Sequence, residues 1–181
     1  VTTTPDSSSI VNSRSAATTP VAPSTSAAQT WRLNATTGVP AGAALRTHAG
    51  DLLVDKAGQV VSDLSVTGTV TVAAPNVTIR RTRIVAHGQF TVRQLPGATG
   101  LVIEDSEVSG RKGANVQYGI VQGATGLEVR RSHVHGVQQG IEAGSNATIT
   151  DSLVDGLVRS DSTTGVATRG GTGLTIRHSV V

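Results

Sequence analysis

The sequence predicts an all-β chain wound as a parallel β-helix of about six rungs, behind a disordered tail rich in Ser, Thr, Pro and Ala. Three observations predict it: a recurring ten-residue phrase, apolar side chains at every second position within it, and a scarcity of long helix-forming runs. The phrase reads apolar, any, apolar, two polar, Ser or Thr, any, apolar, any, small. It starts at Val77, Leu101, Leu127, Ala147 and Leu174, with separations of 24, 26, 20 and 27 residues. A period of this size marks stacked supersecondary units.

Alternation such as Val77, Ile79 and then Thr82, Ile84 is strand chemistry, because successive side chains of a strand point to opposite faces. The apolar positions do not fall at three- and four-residue intervals, and Gly and β-branched residues abound, so helix is disfavoured throughout the repeats. A shorter apolar run follows each phrase, at 90–92, 118–121, 140–143 and 165–167, giving each repeat two or three short strands. Such strands bury a face only by coiling, each beside its copy in the next turn about 4.8 Å away. A fainter earlier rung fits 59–68, with its second strand at 70–72.

Composition narrows the class. The chain has 181 residues with 21 Gly, no Cys, no Met and 2 % aromatics, which points to one elongated domain and leaves no disulfide framework, thiol nucleophile or cysteine metal site. The net charge is +3 and the basic residues are nearly all Arg, a balance suited to an acidic polymer. No stretch approaches the roughly 18 apolar residues that span a bilayer. Residues 1–36 carry too little apolar surface to offset ordering entropy and are expected to form a disordered tail, with 37–181 as the repeat domain. Tails of this kind accompany secreted proteins. The last phrase stops at Val181 without a polar cap, so further rungs or a partner are expected at that end.

The entry segment Thr37-Gly38-Val39-Pro40-Ala41-Gly42, followed by rungs such as Asn76-Val77-Thr78-Ile79-Arg80-Arg81-Thr82-Arg83-Ile84, resembles secreted bacterial right-handed parallel β-helix proteins of the pectate-lyase-like superfamily. The Arg-rich, Lys-poor usage is similar to actinobacterial members. The resemblance covers 37–181 and implies a right-handed coil, secretion, and action on a polysaccharide or cell-wall glycan. Members often carry Asp before the Gly that opens the second strand, in phrases such as His-x-Asp-Gly. Here Tyr118, Gln139 and Thr164 take that place.

Stacking puts equivalent positions over one another, so columns of ionisable residues can be read directly. Arg81, Asp105, Arg131, Asp151 and His178 form one column of alternating sign, Arg80, Glu104 and Arg130 a second, Arg83, Glu107 and His133 a third. Opposite charges on neighbouring strands favour a surface ladder of ion pairs. The candidate catalytic set is His135 as base, Asp155 on the next rung to orient it, and Arg131 and Arg159 to neutralise a uronic carboxylate during β-elimination. His133, Tyr118, Gln139 and Glu142 are the candidate substrate contacts. The alternative is a non-catalytic surface scaffold or adhesin. For hydrolysis, Asp151 with Asp155, or Glu142 with either, is the best carboxylate pair, without the three clustered Asp of inverting β-helix enzymes.

His133, His135 and Asp155 supply at most three N/O metal ligands, so no metal and no cofactor is expected. Nucleic acid is not an expected partner, for want of a basic run, interleaved aromatics or a recognition helix. Gly170-Gly171-Thr172-Gly173 lacks the Lys and helix of a phosphate loop and reads as a turn. Asn34, Asn76 and Asn146 open Asn-x-Ser/Thr triplets; the last two precede rungs, where Asn suits a turn.

Overall fold

A computed structural model describes residues 36–181. The tail expected over 1–36, with Trp31 and Asn34, lies almost wholly outside the described residues. The described chain is a right-handed parallel β-helix of six coils. Each coil contributes one strand to each of three six-stranded sheets. The first sheet stacks β1 (Arg46–Ala49), β4 (Leu64–Thr67), β7 (Arg83–Ala86), β10 (Glu107–Gly110), β13 (His133–His135) and β16 (Leu153–Asp155). The second stacks β2 (Leu52–Val54), β5 (Val70–Val72), β8 (Phe90–Gln94), β11 (Tyr118–Val121), β14 (Gln139–Ala143) and β17 (Thr164–Thr168). The third stacks β3 (Val60–Ser62), β6 (Thr78–Arg80), β9 (Leu101–Glu104), β12 (Leu127–Arg130), β15 (Ala147–Thr150) and β18 (Thr175–Arg177).

Each ten-residue phrase therefore holds two strands, one of the third sheet and one of the first, and each coil has three strands in all. The apolar rhythm slips between Ile79 and Thr82 because a corner falls there. One residue turns each corner: Asp63, Arg81, Asp105, Arg131, Asp151 and His178 all have φ between 44° and 58°. Left-handed backbone costs a side-chain-bearing residue about 1 kcal/mol, so something at the corner must hold it there.

The Ser or Thr that follows every corner but Asp63, where Leu64 stands, supplies that hold. Ser106, Ser132 and Ser152 are wholly buried, and each hydroxyl donates to the carbonyl two residues back, at 2.7, 2.9 and 2.8 Å. Each hydroxyl also accepts the backbone N–H of its counterpart one coil earlier: Thr82 to Ser106 at 3.1 Å, Ser106 to Ser132 at 3.3 Å, Ser132 to Ser152 at 3.2 Å. The corner diverts the strand ladder, and these hydroxyls satisfy the donors it leaves behind inside the core. A Ser or Thr thus recurs because both donor and acceptor are needed in one short side chain.

The core is a column of Val66, Ile84, Val108, Val134 and Val154 from the first sheet, Val92, Ile120 and Ile141 from the second, and Ile79, Ile103, Val129 and Ile149 from the third, all nearly inaccessible. Register partners repeat the same type, as in Ile79, Ile103, Val129 and Ile149, so every layer presents the same shape to the next. Burial of each such side chain contributes about 1.5–3 kcal/mol. Gly110 ends β10 in the small position of the phrase, where a Cβ would collide with the Gly136 carbonyl of the next coil. Asn76 and Asn146 do lie in turns, at φ 58° and 54°, and Gly170 and Gly171 lie in the turn before β18.

Candidate functional site

The alternation of the first sheet sends Arg83, Glu107, His133, His135 and Asp155 outward from three neighbouring coils and a fourth above them. His135 stands opposite Asp155 in the register of β13 and β16, as the repeat spacing requires. The side chains pair otherwise. His133 Nε2 lies 2.7 Å from Asp155 Oδ1, and His135 Nε2 lies 3.2 Å from Glu107 Oε1 one coil earlier. Both contacts run diagonally across the strands, and the two imidazole rings lie 4.4 Å apart.

Glu107 also receives Arg83 Nε at 2.7 Å. The hydrogen bond from His135, helped by that from Arg83, outweighs partial burial and holds the Glu107 carboxyl at about 2. A carboxylate so fixed cannot act as a general acid, but it orients the imidazole that leans on it.

Arg131 and Arg159 stand apart from this group. Arg131 turns a corner and grips Asp105 with two bonds, at 2.7 and 2.8 Å, with a further contact to Glu104 at 3.3 Å. The Asp105 hydrogen bonds raise its pKa further above the ordinary guanidinium value, so its charge is committed. Arg81 grips Asp63 in the same way at 2.7 and 2.8 Å, and His178 Nδ1 lies 3.5 Å from Asp151. The corner column is thus three separate dyads, each joining a basic residue to the acid one coil earlier. Arg159 lies exposed in the turn between β16 and β17.

Tyr118, Gln139 and Glu142 lie on the second sheet, a different face from His133 and His135. Phe90 and Tyr118 are register partners and stack with ring centres 5.4 Å apart, and the Arg93 guanidinium lies 5.1 Å from the Phe90 ring centre. The Glu142 side chain is only 6 % exposed and pairs with Arg169, which also donates to the Tyr118 hydroxyl at 3.2 Å. Arg93, Tyr118, Glu142 and Arg169 line one shallow depression of about 270 Å³. The carboxylates considered for hydrolysis are scattered: Asp151 at a corner, Asp155 on the first sheet, Glu142 on the second.

The turns from the first sheet to the second differ in length. Coil 5 uses three residues, 136–138, whereas coil 4 below it uses seven, 111–117, and coil 6 above it eight, 156–163. Two long turns therefore wall a short one. Val158 N–H donates to the Val137 carbonyl at 2.8 Å, Gln138 N–H to the Val116 carbonyl at 3.1 Å, and the Gln138 amide to Asn115 Oδ1. The resulting depression of about 510 Å³ is lined by Arg111, Lys112, Asn115, His135, Gly136 and Val158, among others.

Glu107, Arg111, Lys112, Arg93 and Arg169 are the residues of these two places that sequence reasoning passed over as site groups. The spacings of 26 and 27 residues around one of 20 carry the signal for the long turns only in part, because the turns from the second sheet to the third vary too, from three residues at 144–146 to six at 95–100 and 169–174. Among the described residues no group of three or more His, Cys, Asp or Glu side chains is arranged to hold a metal, and no helix is long and apolar enough to cross a membrane. No family model matches the chain, and neither a curated protein nor a solved structure matches it.

Proposed function

We propose that this chain is an extracellular β-helix domain that engages an acidic polysaccharide, in the manner of the pectate-lyase-like proteins its sequence resembles. The observation that carries the proposal is the depression on the second sheet, where Arg93 and Arg169 flank the buried Glu142 carboxylate beside Tyr118. Two guanidiniums against one carboxylate leave a net positive charge for a uronic carboxylate, and Glu142 supplies an acceptor for sugar hydroxyls. Gln89 and the Tyr118 edge complete a surface of the mixed polar and aromatic kind that fixes the orientation of a ligand. The composition of residues 1–36 supports the extracellular setting. Calorimetric titration with oligogalacturonates is the test. Saturable binding that weakens at least severalfold in Arg93→Ala is expected, and absence of heat with every uronic oligomer tried would refute the reading.

A second reading, β-elimination, is favoured by the Glu107–His135 contact. Glu107, ionised over the whole physiological range, selects the His135 tautomer that donates from Nε2, which would leave Nδ1 as the base. His135 would take the proton alpha to the uronate carboxyl. The electron pair would form the new carbon–carbon double bond, and the glycosidic oxygen would leave from the β carbon, taking a proton from water. Ultraviolet absorbance from an unsaturated product, lost in His135→Ala, is the expected signature. Binding without such a product would assign the chain to the non-catalytic scaffolds instead.

A further inference from the structure

The long turns of coils 4 and 6 touch the core only through Val116, Ala114 and Leu157. Seven and eight residues are used where the other first-to-second-sheet connections manage with two or three. Insertions in a solenoid cost little stability, because they leave the stacked layers intact, and they collect on the face that meets a ligand. Here they leave a walled notch over the short turn at 136–138.

Several cations of the described helix, Arg46, Arg80, Arg93, Arg159 and Arg177 among them, make no ion pair, but the notch brings two unpaired cations side by side in one depression. Arg81, Arg83, Arg130, Arg131 and Arg169 are all engaged by carboxylates. Arg111 and Lys112, adjacent in sequence and both lining the depression, make no ion pair among the described residues. No acidic side chain lines the depression; of the carboxylates beside His135, Glu107 is already taken by Arg83 and His135, and Asp155 by His133. Two like charges side by side repel, and an oxyanion placed between them removes the repulsion and gains charge-assisted hydrogen bonds.

We propose that the notch between the 111–117 and 156–163 turns is a second oxyanion-binding site, which takes a carboxylate or sulfate ester of an acidic glycan on Arg111 and Lys112 beside the His135 imidazole. Asn115, held by Gln138, offers an amide at the rim. The site stands independently of the second-sheet depression. If a uronate carboxylate occupies it, His135 is the titratable group nearest the sugar, which places the base of the elimination reading next to the acidic group that activates the proton.

The experiment is a nuclear magnetic resonance titration of the full chain, labelled in backbone and histidine nitrogens, with three probes: a trigalacturonate, a sulfated oligosaccharide and inorganic phosphate. Saturable shifts of the His135 ring and of the Arg111 and Lys112 amides are expected with at least one of the two glycans. Which one responds identifies the source of the oxyanion. The double variant Arg111→Ala/Lys112→Ala, changed only in an exposed turn, is expected to lose about tenfold or more in affinity at these resonances, while Arg93→Ala leaves them unchanged. No saturable shift with either glycan, phosphate binding alone included, would overturn the proposal. So would equal affinity in the double variant. Glycan binding abolished by Arg93→Ala but untouched by the double variant would remove the notch and leave the second-sheet reading standing.

Discussion

His133 Nε2 lies 2.7 Å from Asp155 Oδ1, although the residue opposite Asp155 in the strand register is His135. The diagonal is within reach because cross-strand neighbours two positions apart are only about 7–8 Å apart at Cα, close enough for an imidazole and a carboxylate to meet. With Asp155 taken, the His135 ring turns back one coil to Glu107. Two His–carboxylate pairs result, and their members are exchanged relative to simple stacking.

This exchange is visible to substitution. Asp155→Asn should move the ring resonances of His133 more than those of His135, and Glu107→Gln should do the reverse. Equal response of both rings to Asp155→Asn would show that the diagonal pairing does not persist in solution.

The Glu107 carboxyl is held at about 2, below the ordinary value of 4.5. A lowered native pKa contributes stability that is present above the unfolded value and is lost as pH falls through the window from about 4.5 to about 2. The side chain is 24 % exposed, so the contribution is on the order of 2 kcal/mol. Denaturant midpoints measured between pH 6 and pH 2 should fall more steeply for the native chain than for Glu107→Gln. Parallel curves would show that the Glu107 contacts do not persist in the native state.

Removal of one rung of the hydroxyl ladder should be costly out of proportion to its size. Ser132→Ala strands the Ser106 N–H in the core and takes one of two donors from the Arg130 carbonyl, a loss of about 1–3 kcal/mol in unfolding free energy. Ser132→Thr keeps the hydroxyl, as Thr82 does at the same place two coils earlier, and should stay close to the native value.

Gly110→Ala should destabilise by about 1–3 kcal/mol or prevent the coils from closing, because the added methyl meets the backbone carbonyl of Gly136 and neither chain can yield without opening the ladder. Gly113→Ala, in the open turn where a Cβ has nothing within 4 Å, tests strain alone, since its φ is +82°. A smaller loss there than at Gly110, by thermal unfolding, is the expected order.

An Arg131→Gln variant should lose little stability, about 1 kcal/mol or less, because the bonds to Asp105 and Glu104 lie at a half-exposed corner. If elimination activity is found, it should survive this change, since Arg131 is bound to two acids rather than turned to the notch. Loss of activity with folding intact would restore Arg131 to the reacting group.

Much of the architecture is legible in the sequence. Period-two alternation, the recurring phrase and the Ser or Thr inside it are local patterns, and stacking at one strand spacing forces equivalent positions into columns. His135 opposite Asp155, and Tyr118 beside Gln139, followed from that rule and were found. The corner inside the phrase was hard to read, because Arg81 and Arg131 do not favour left-handed backbone, whereas Asp105 and Asp151, which alternate with them, do; the hydroxyl ladder beyond them helps hold the arginines there.

The sequence alone determined the fold class, the contents of the core column and the register, because these depend on which residue types recur and at what interval. Tertiary structure decided which side chains touch and where the site-like surfaces lie. A long side chain chooses among several neighbours on adjacent coils by reach and competition, so Asp155 went to His133, Arg131 to Asp105 and Glu142 to Arg169. Likewise, extra residues in two turns become a notch only when the short turn between them is stacked in place, a relation among three coils that no single repeat contains.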